Sequence, residues 1–137
     1  MSATLGGCCS GNGETLIFTC AGAAYSGQVA NRAGVQLMEQ GAGGLFCIAA
    51  VAANIGQKME RARTAARRVA IDGCEDHCVR KVLEQAGLSA DVHVVLTDIG
   101  IEKKPAQPNM ISDGKKVVEA VKQELARGAM PGAGCCG

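Results

Sequence analysis

Eight cysteines lie in a chain of 137 residues, and four of them stand where chemistry can be built. Residues 71–78 read IDGCEDHC: an apolar run ends at Asp72-Gly73, and Cys74 and Cys78 follow four residues apart. A Cys-x3-Cys step across a helix start puts two sulfurs on one face, about 5–6 Å apart at Cβ. Two sulfurs at that reach can share a metal ion, and tetrahedral zinc accepts four thiolates at about 2.3 Å. The start of a helix also lowers a thiol pKa, which favours the thiolate that metal binding or nucleophilic attack needs. The spacing is not the paired Cys-x2-Cys of zinc ribbons. Its weight comes from Cys20, which ends the apolar run TLIFTC (15–20), and from Cys47, inside GLFCIAA (44–50).

A plainer reading stands beside this one. Free cysteine is among the most buried residue types and packs as a small hydrophobe. That reading suits Cys47, which is flanked by Phe46 and Ile48. It suits Cys74 and Cys78 poorly, because Gly73, Glu75 and Asp76 make their surroundings polar. His77, beside Cys78, is a candidate to replace one sulfur, although a histidine in the first turn of a helix is more often solvated. His93 alternates with Val92 and Val94 and reads as a packed or edge histidine. Asp98, at the end of its strand, is expected to face the same edge as a hydrogen-bond acceptor behind the ligands, or else to shape the turn before Gly100.

The stretch CAGAAYSGQ (20–28) adds a second chemistry. A strand, a cysteine, five residues, a serine and then a helix form the layout of a phosphate-binding cysteine loop, whose amides favour anions. It resembles the nucleophile loop of low-molecular-weight phosphatases and thioredoxin-coupled arsenate reductases. Those loops carry an arginine before the serine, where this chain has Tyr25. Without a guanidinium the bidentate grip on an oxyanion is lost. A glycine-rich turn with Ser26 as helix N-cap is the simpler expectation.

The elements that must position these residues follow from periodicity. Strands are expected at 15–20, 44–50, 68–73 and 91–100, and helices at 27–41, 54–67, 75–87 and 112–128, the last capped by Ser112 or Asp113. A proline-containing loop, KKPAQPN, occupies 103–109. Strands alternating with helices predict one small doubly wound α/β domain, Rossmann- or flavodoxin-like. Its mostly parallel sheet has about four strands in the order 2-1-3-4, with helices on both faces. In such a sheet the strand ends share one edge, where ligands bind. Cys20, Cys47, Cys74 and Cys78 therefore converge there although they are far apart in sequence. The domain is expected at 14–128, between tails at 1–13 and 129–137 that are rich in glycine and carry the pairs Cys8-Cys9 and Cys135-Cys136.

Composition narrows the classes. Apolar residues make up 47%, so the chain is not a disordered one. Aromatics are only 2% and the net charge is +1. Neither a stacking platform nor an electrostatic footprint for nucleic acid is present, and the basic run RARTAARR (61–68) reads as a solvated helix face. No apolar run approaches the roughly 20 residues that span a bilayer, so no membrane partner is expected. The N-terminal residues lack the charged and apolar regions of a secretory signal, which predicts a cytoplasmic chain. Structural disulfides are not expected in that compartment, so the cysteines read as ligands, redox thiols or packed residues.

The stretches AIDGCEDHCVRKVLEQAG (70–87) and DVHVVLTDIGI (91–101) resemble the DGC-domain family of zinc-binding proteins, named for the Asp-Gly-Cys found here at Asp72, Gly73 and Cys74. CAGAAYSGQVAN (20–31) is similar to the family's first-strand cysteine and the turn after it, LFCIAAVAA (45–53) is similar to its central cysteine in an apolar run, and the resemblance covers about residues 14–127. It implies four chelating cysteines, which fall on Cys20, Cys47, Cys74 and Cys78, and it assigns no reaction. The expected function is thus the holding of one thiophilic metal ion, zinc first, with soft-metal or metalloid handling through the Cys-Cys tails. The alternatives are a thiol redox enzyme of arsenate-reductase-like layout and an iron–sulfur scaffold on the same four thiols. No protein partner is indicated.

Overall fold

The computed structural model describes residues 13–105 and 110–128. The apolar runs form four strands, β1 (Thr15–Thr19), β2 (Gly44–Phe46), β3 (Arg67–Asp72) and β4 (Val92–Val95). Between and after them run five helices: α1 (Tyr25–Glu39), α2 (Ile48–Ala52), α3 (Gly56–Thr64), α4 (Cys78–Gln85) and α5 (Met110–Arg127). A short 3-10 turn, Leu96–Ile99, follows β4. The strands pair in the order β2-β1-β3-β4, and every pair is parallel. The expected α/β architecture and strand order are therefore found.

Both faces of the sheet are covered, and the strands read as near-continuous apolar runs for that reason. Ile17, Val69, Ile71, Val92 and Val94 face α1 and α5, meeting Val29, Leu37, Val117 and Val121. Leu16, Phe18 and Ala70 face the other way, against Val51, Met59, Val79 and Leu83 of α2, α3 and α4. Phe18 and Phe46 meet edge to face at 5.4 Å. With aromatics so scarce, the core relies on branched aliphatic residues that alternate along each strand and interlock with helical ones.

Element boundaries depart from the sequence reading where tertiary packing decides. β2 is three residues long and stops at Phe46, so Cys47 is not inside a strand but is the N-cap of α2. The run CIAAVAA is rich in alanine, the best helix former. A short apolar run does not by itself distinguish a strand from a buried helix. α1 begins at Tyr25, with Ala24 as N-cap and no side-chain cap, so Ser26 lies inside the first turn. α4 starts at Cys78 and not at Glu75, and β4 ends at Val95, where the 3-10 turn takes over. The tail cysteines Cys8, Cys9, Cys135 and Cys136 lie outside the described residues.

Both described ends leave from the amino edge of the sheet. The Glu14 carbonyl accepts the N–H groups of Ala66 and Arg67 at 2.9 and 3.3 Å, at the start of β3. Arg67 Nη2 in turn donates to the Leu125 carbonyl at 2.9 Å, in the last turn of α5.

Gly34 of α1 offers a test of packing against propensity. A Cβ there would run into the Thr19 methyl and come within 2.9 Å of Leu45 Cδ1. Thr19 cannot turn away freely, because its hydroxyl donates to Asn31 Oδ1 at 3.1 Å. Replacing glycine by alanine in a helix gains about 1 kcal/mol, whereas overpacking costs about 1–3 kcal/mol. Gly34→Ala is expected to lose stability on balance, read as a lower urea midpoint with an unchanged slope. A higher midpoint would show that helix propensity wins.

Candidate functional site

β1 and β3 are neighbours, and the connections that leave them run to opposite sides of the sheet. Between their carboxyl ends lies the topological switch point at which parallel sheets bind ligands. A pocket of about 200 Å³ opens there. Cys20 enters it from the end of β1, Cys74 from the loop after β3 and Cys78 from the first turn of α4, with Ser26 and Gly27 of α1 between them. Cys20 and Cys74 are half-buried and Cys78 is exposed, and all three are free thiols.

Small residues let these segments meet. A Cβ on Gly73 would fall 2.8 Å from the Gly27 nitrogen and 2.9 Å from the Ser26 carbonyl carbon. A Cβ on Gly27 would fall 2.8 Å from the Gly22 nitrogen. Only glycine fits in this stack, and it brings the backbone after β3 onto the first turn of α1. The loop leaving Cys20 is pinned by Gln28, whose Nε2 donates to the carbonyls of Ala21 and Gly22 at 3.3 and 2.7 Å. The Gly22 N–H points to Cys20 Sγ at 3.4 Å.

Asp72 sets the start of α4. Its side chain is 1% exposed. Oδ1 accepts the Val79 N–H at 2.7 Å, and Oδ2 accepts the Arg80 N–H at 3.2 Å. His93 Nε2 lies 2.8 Å from the same Oδ2, which makes it the protonated ring nitrogen. A strand-end carboxylate thus satisfies helix N–H groups that would otherwise be orphaned, and the helix begins where that carboxylate reaches. Cys74–His77 are left as a turn, closed by His77 in the left-handed region at φ 53°. The His77 and His93 rings stand edge to face at 5.2 Å.

The sulfurs are electrostatically tied to one another. Burial pushes the Cys78 thiol above its ordinary pKa, and the nearby Cys20, Asp72, Asp76 and Cys74 push the same way. The lowering expected from the helix start is not found: burial comes first among the causes of the rise, and the charges of Cys20 and Asp72 add to it. Cys74 Sγ donates to Asp76 Oδ2 at 3.4 Å, and Lys103 Nζ donates to the same oxygen at 3.0 Å. Lys103, and then Cys74, hold the Asp76 carboxyl below its usual range.

Other expected site residues are placed elsewhere. Cys47 is exposed and lines an apolar cleft with Thr19, Ala21, Leu45 and Ile48, which shares no lining residue with the pocket of Cys20, Cys74 and Cys78. Asp98 faces a third cleft, between β4 and α5, with His93 and Gln123. Among the described residues, no three of His, Cys, Asp and Glu stand in an arrangement that could hold a metal ion. No described helix is long and apolar enough to cross a membrane.

Sequence reading missed three participants. Asp72 was legible as part of a motif, but its capping role depends on α4 folding back over the strand end. Lys103 reaches the pocket from the loop KKPAQPN (103–109), and nothing in that stretch marks it as a neighbour of Asp76. Tyr25 joins α1 to α5 through Asp113, 88 positions later, and no local pattern announces that bond.

A parallel α/β sheet with a thiol-lined pocket at its switch point defines the class: a small domain in which Cys20, Cys74 and Cys78 stand at the exits of two central strands. The DGC domain model matches residues 16–121, and the chain belongs to the DGC-domain family. It is similar to the anaerobic and virulence modulator AnvM of Pseudomonas aeruginosa strain PAO1, with 26% identity over 113 residues, covering 82% of this chain and 86% of that protein. No solved structure matches the chain.

Tyr25 allows a direct check on how the site is braced. Its hydroxyl donates to Asp113 Oδ2, its N–H donates to the Lys104 carbonyl at 2.6 Å, and Lys104 Nζ sits 4.8 Å from its ring centroid. The bond to Asp113 raises the tyrosine pKa, and burial and the carboxylate charge raise it further. The folded state therefore favours the neutral phenol. That stabilisation is complete below the ordinary tyrosine pKa near 10 and is lost as pH rises through the higher folded value. Since this is the chain's single tyrosine and there is no tryptophan, tyrosinate absorbance reports it alone. The native titration should lie above that of the urea-unfolded chain, and Asp113→Asn should narrow the gap to what burial alone contributes. Coincident native and unfolded titrations would remove the bond.

Proposed function

We propose that this protein holds one thiophilic metal ion, zinc in the first place, on Cys20, Cys74 and Cys78, with Cys47 as the fourth ligand. The observation that carries this reading is that three cysteines, one at the exit of β1 and two from the β3–α4 connection, line one pocket. The donor set fits a soft ion. The carboxylates nearby are already engaged, Asp72 by two amides and His93, Asp76 by Lys103 and Cys74. Sulfur remains as the free donor, and thiolates select zinc, copper(I) and comparable ions. The ion would supply a cross-link between the ends of β1 and β3. Cys78 would lose the proton that its raised pKa now retains, because metal binding requires thiolate.

Ligation on this reading draws the Cys74–Cys78 turn inward. Cys47 must approach from its own cleft, which a movement of the short α2 would allow. A raised Cys78 pKa makes the thiolate costly in a ligand and in an attacking role alike, and thiol redox catalysis stays the alternative, with Cys20 or Cys74 as the attacking thiol. A net charge of +1 and 2% aromatic content favour an ion over a nucleic acid as the partner. Thiolate sites need a reducing compartment, which supports a cytoplasmic setting. The relative's description as a modulator is compatible with a site whose occupancy changes with metal supply or redox state. The pairs Cys8-Cys9 and Cys135-Cys136 would act as weaker, exchangeable acceptors.

Substitution separates the pocket from the tails. Cys74→Ser or Cys78→Ser should abolish tight binding of one metal per chain, read by elemental analysis of protein purified without added metal. Melting temperature should fall with it, since a ligand at a hundredfold its Kd stabilises by about 2.7 kcal/mol. Serine at all four tail cysteines should leave one metal per chain and the same melting temperature. Loss of metal in the tail variant with retention in Cys74→Ser would place the site elsewhere. A visible absorption band from the purified protein would exchange zinc for an iron–sulfur cluster on the same thiols.

A further inference from the structure

The pocket also contains groups that metal ligation leaves unused, and they share one chemistry. Ser26 is 1% exposed and lines the pocket, and its Oγ has no hydrogen-bond partner among the described residues. A buried hydroxyl normally finds a partner. Ser26 and Gly27 are the second and third residues of the 15-residue helix α1, whose first N–H groups have no intrahelical acceptor. On either side those amides are taken: Tyr25 donates to the Lys104 carbonyl at 2.6 Å and Gln28 to the Ala24 carbonyl at 3.1 Å. The glycine stack keeps side chains off the Gly27 amide. Lys103 adds an ammonium at the pocket wall.

We infer that this pocket is a subsite for a small tetrahedral oxyanion, free or at the end of a phosphomonoester. The Ser26 hydroxyl, the Ser26 and Gly27 amides and the Lys103 ammonium are its donors. This goes beyond the metal reading and does not depend on it. The positive end of α1 and its amides, unpaired among the described residues, favour negative charge, and the Ser26 hydroxyl gains an acceptor that the described residues do not supply. Size limits the ligand. About 200 Å³ holds roughly six or seven waters at about 30 Å³ each, and drug-sized ligands need pockets of about 300 Å³ or more. An anion of phosphate size fits, and a whole nucleotide does not. Lys103 must divide its charge between the anion and Asp76, now 3.0 Å from its Nζ. Asp76 therefore weakens the anion site.

The test uses the full chain stripped of metal by a chelator, so that the fate of the metal reading has no bearing on it. Inorganic phosphate and O-phosphoserine are titrated separately, with binding read by calorimetry and by melting temperature. Wild-type protein should bind at least one of them and melt higher with it. Ser26→Ala and Lys103→Gln should bind roughly ten- to a hundredfold more weakly, the loss of one hydrogen bond to a charged group. Lys103→Arg should restore most of that loss. Ser26→Ala should melt no lower than wild type without anion, because it removes a buried hydroxyl that has no partner. Asp76→Asn should bind the anion more tightly. Binding of neither probe by wild type, or equal affinity in Ser26→Ala, would overturn the inference. Tighter binding of phosphoserine than of phosphate would assign the subsite to an ester, and the reverse to the free anion.

Discussion

A single buried carboxylate holds the working edge of this protein together. Asp72 ends β3, and its two oxygens accept N–H groups from α4 and from His93 of β4. An unpaired charge at 1% exposure would be very costly to bury, so its three donors are a condition of the fold. They fix where α4 begins, and so they place Cys78. They fix how β3 ends, and so they place Cys74 and the glycine before it. They also tie the strand next door through His93, whose ring packs on His77. Taking that carboxylate away would unfasten the start of the helix and the turn bearing both sulfurs at once.

The second constraint is the absence of side chains. Gly22, Gly27 and Gly73 stack so closely that a Cβ at Gly27 or Gly73 would meet backbone within 3 Å. Through this contact the loops after β1 and β3 close over one space, and Cys20 comes to share a pocket with cysteines more than fifty positions later. A site built this way is specified by backbone contact on one side and a buried carboxylate on the other. Among the described residues the sulfurs add two long contacts, Gly22 N–H to Cys20 and Cys74 to Asp76, each at 3.4 Å.

Much of this was legible in the sequence, for a physical reason. In a parallel sheet, residues just after each strand must share an edge, so the βα period alone brings Cys20, Cys74 and Cys78 together. The strand order 2-1-3-4 was a choice within the doubly wound class that the period alone does not dictate, and the sheet has it. What could not be read depended on partners distant in sequence. The start of α4, expected at 75, lies at Cys78 because the first free amides are taken by Asp72 at the end of the strand. Cys47 was misplaced because an alanine-rich apolar run is ambiguous until α2 packs on α4. Ser26 looked like a cap, but α1 starts one residue before it and strands its hydroxyl inside. The bond from Tyr25 to Asp113 depends on where the last helix comes to lie.

Holding both described ends at the amino edge separates the pocket from the points where the described chain begins and stops. The five residues of β1 run about 17 Å at strand rise. A label attached at Gly13 or Gly128 would therefore report on the amino edge, a strand's length away from Cys20, and leave the pocket undisturbed.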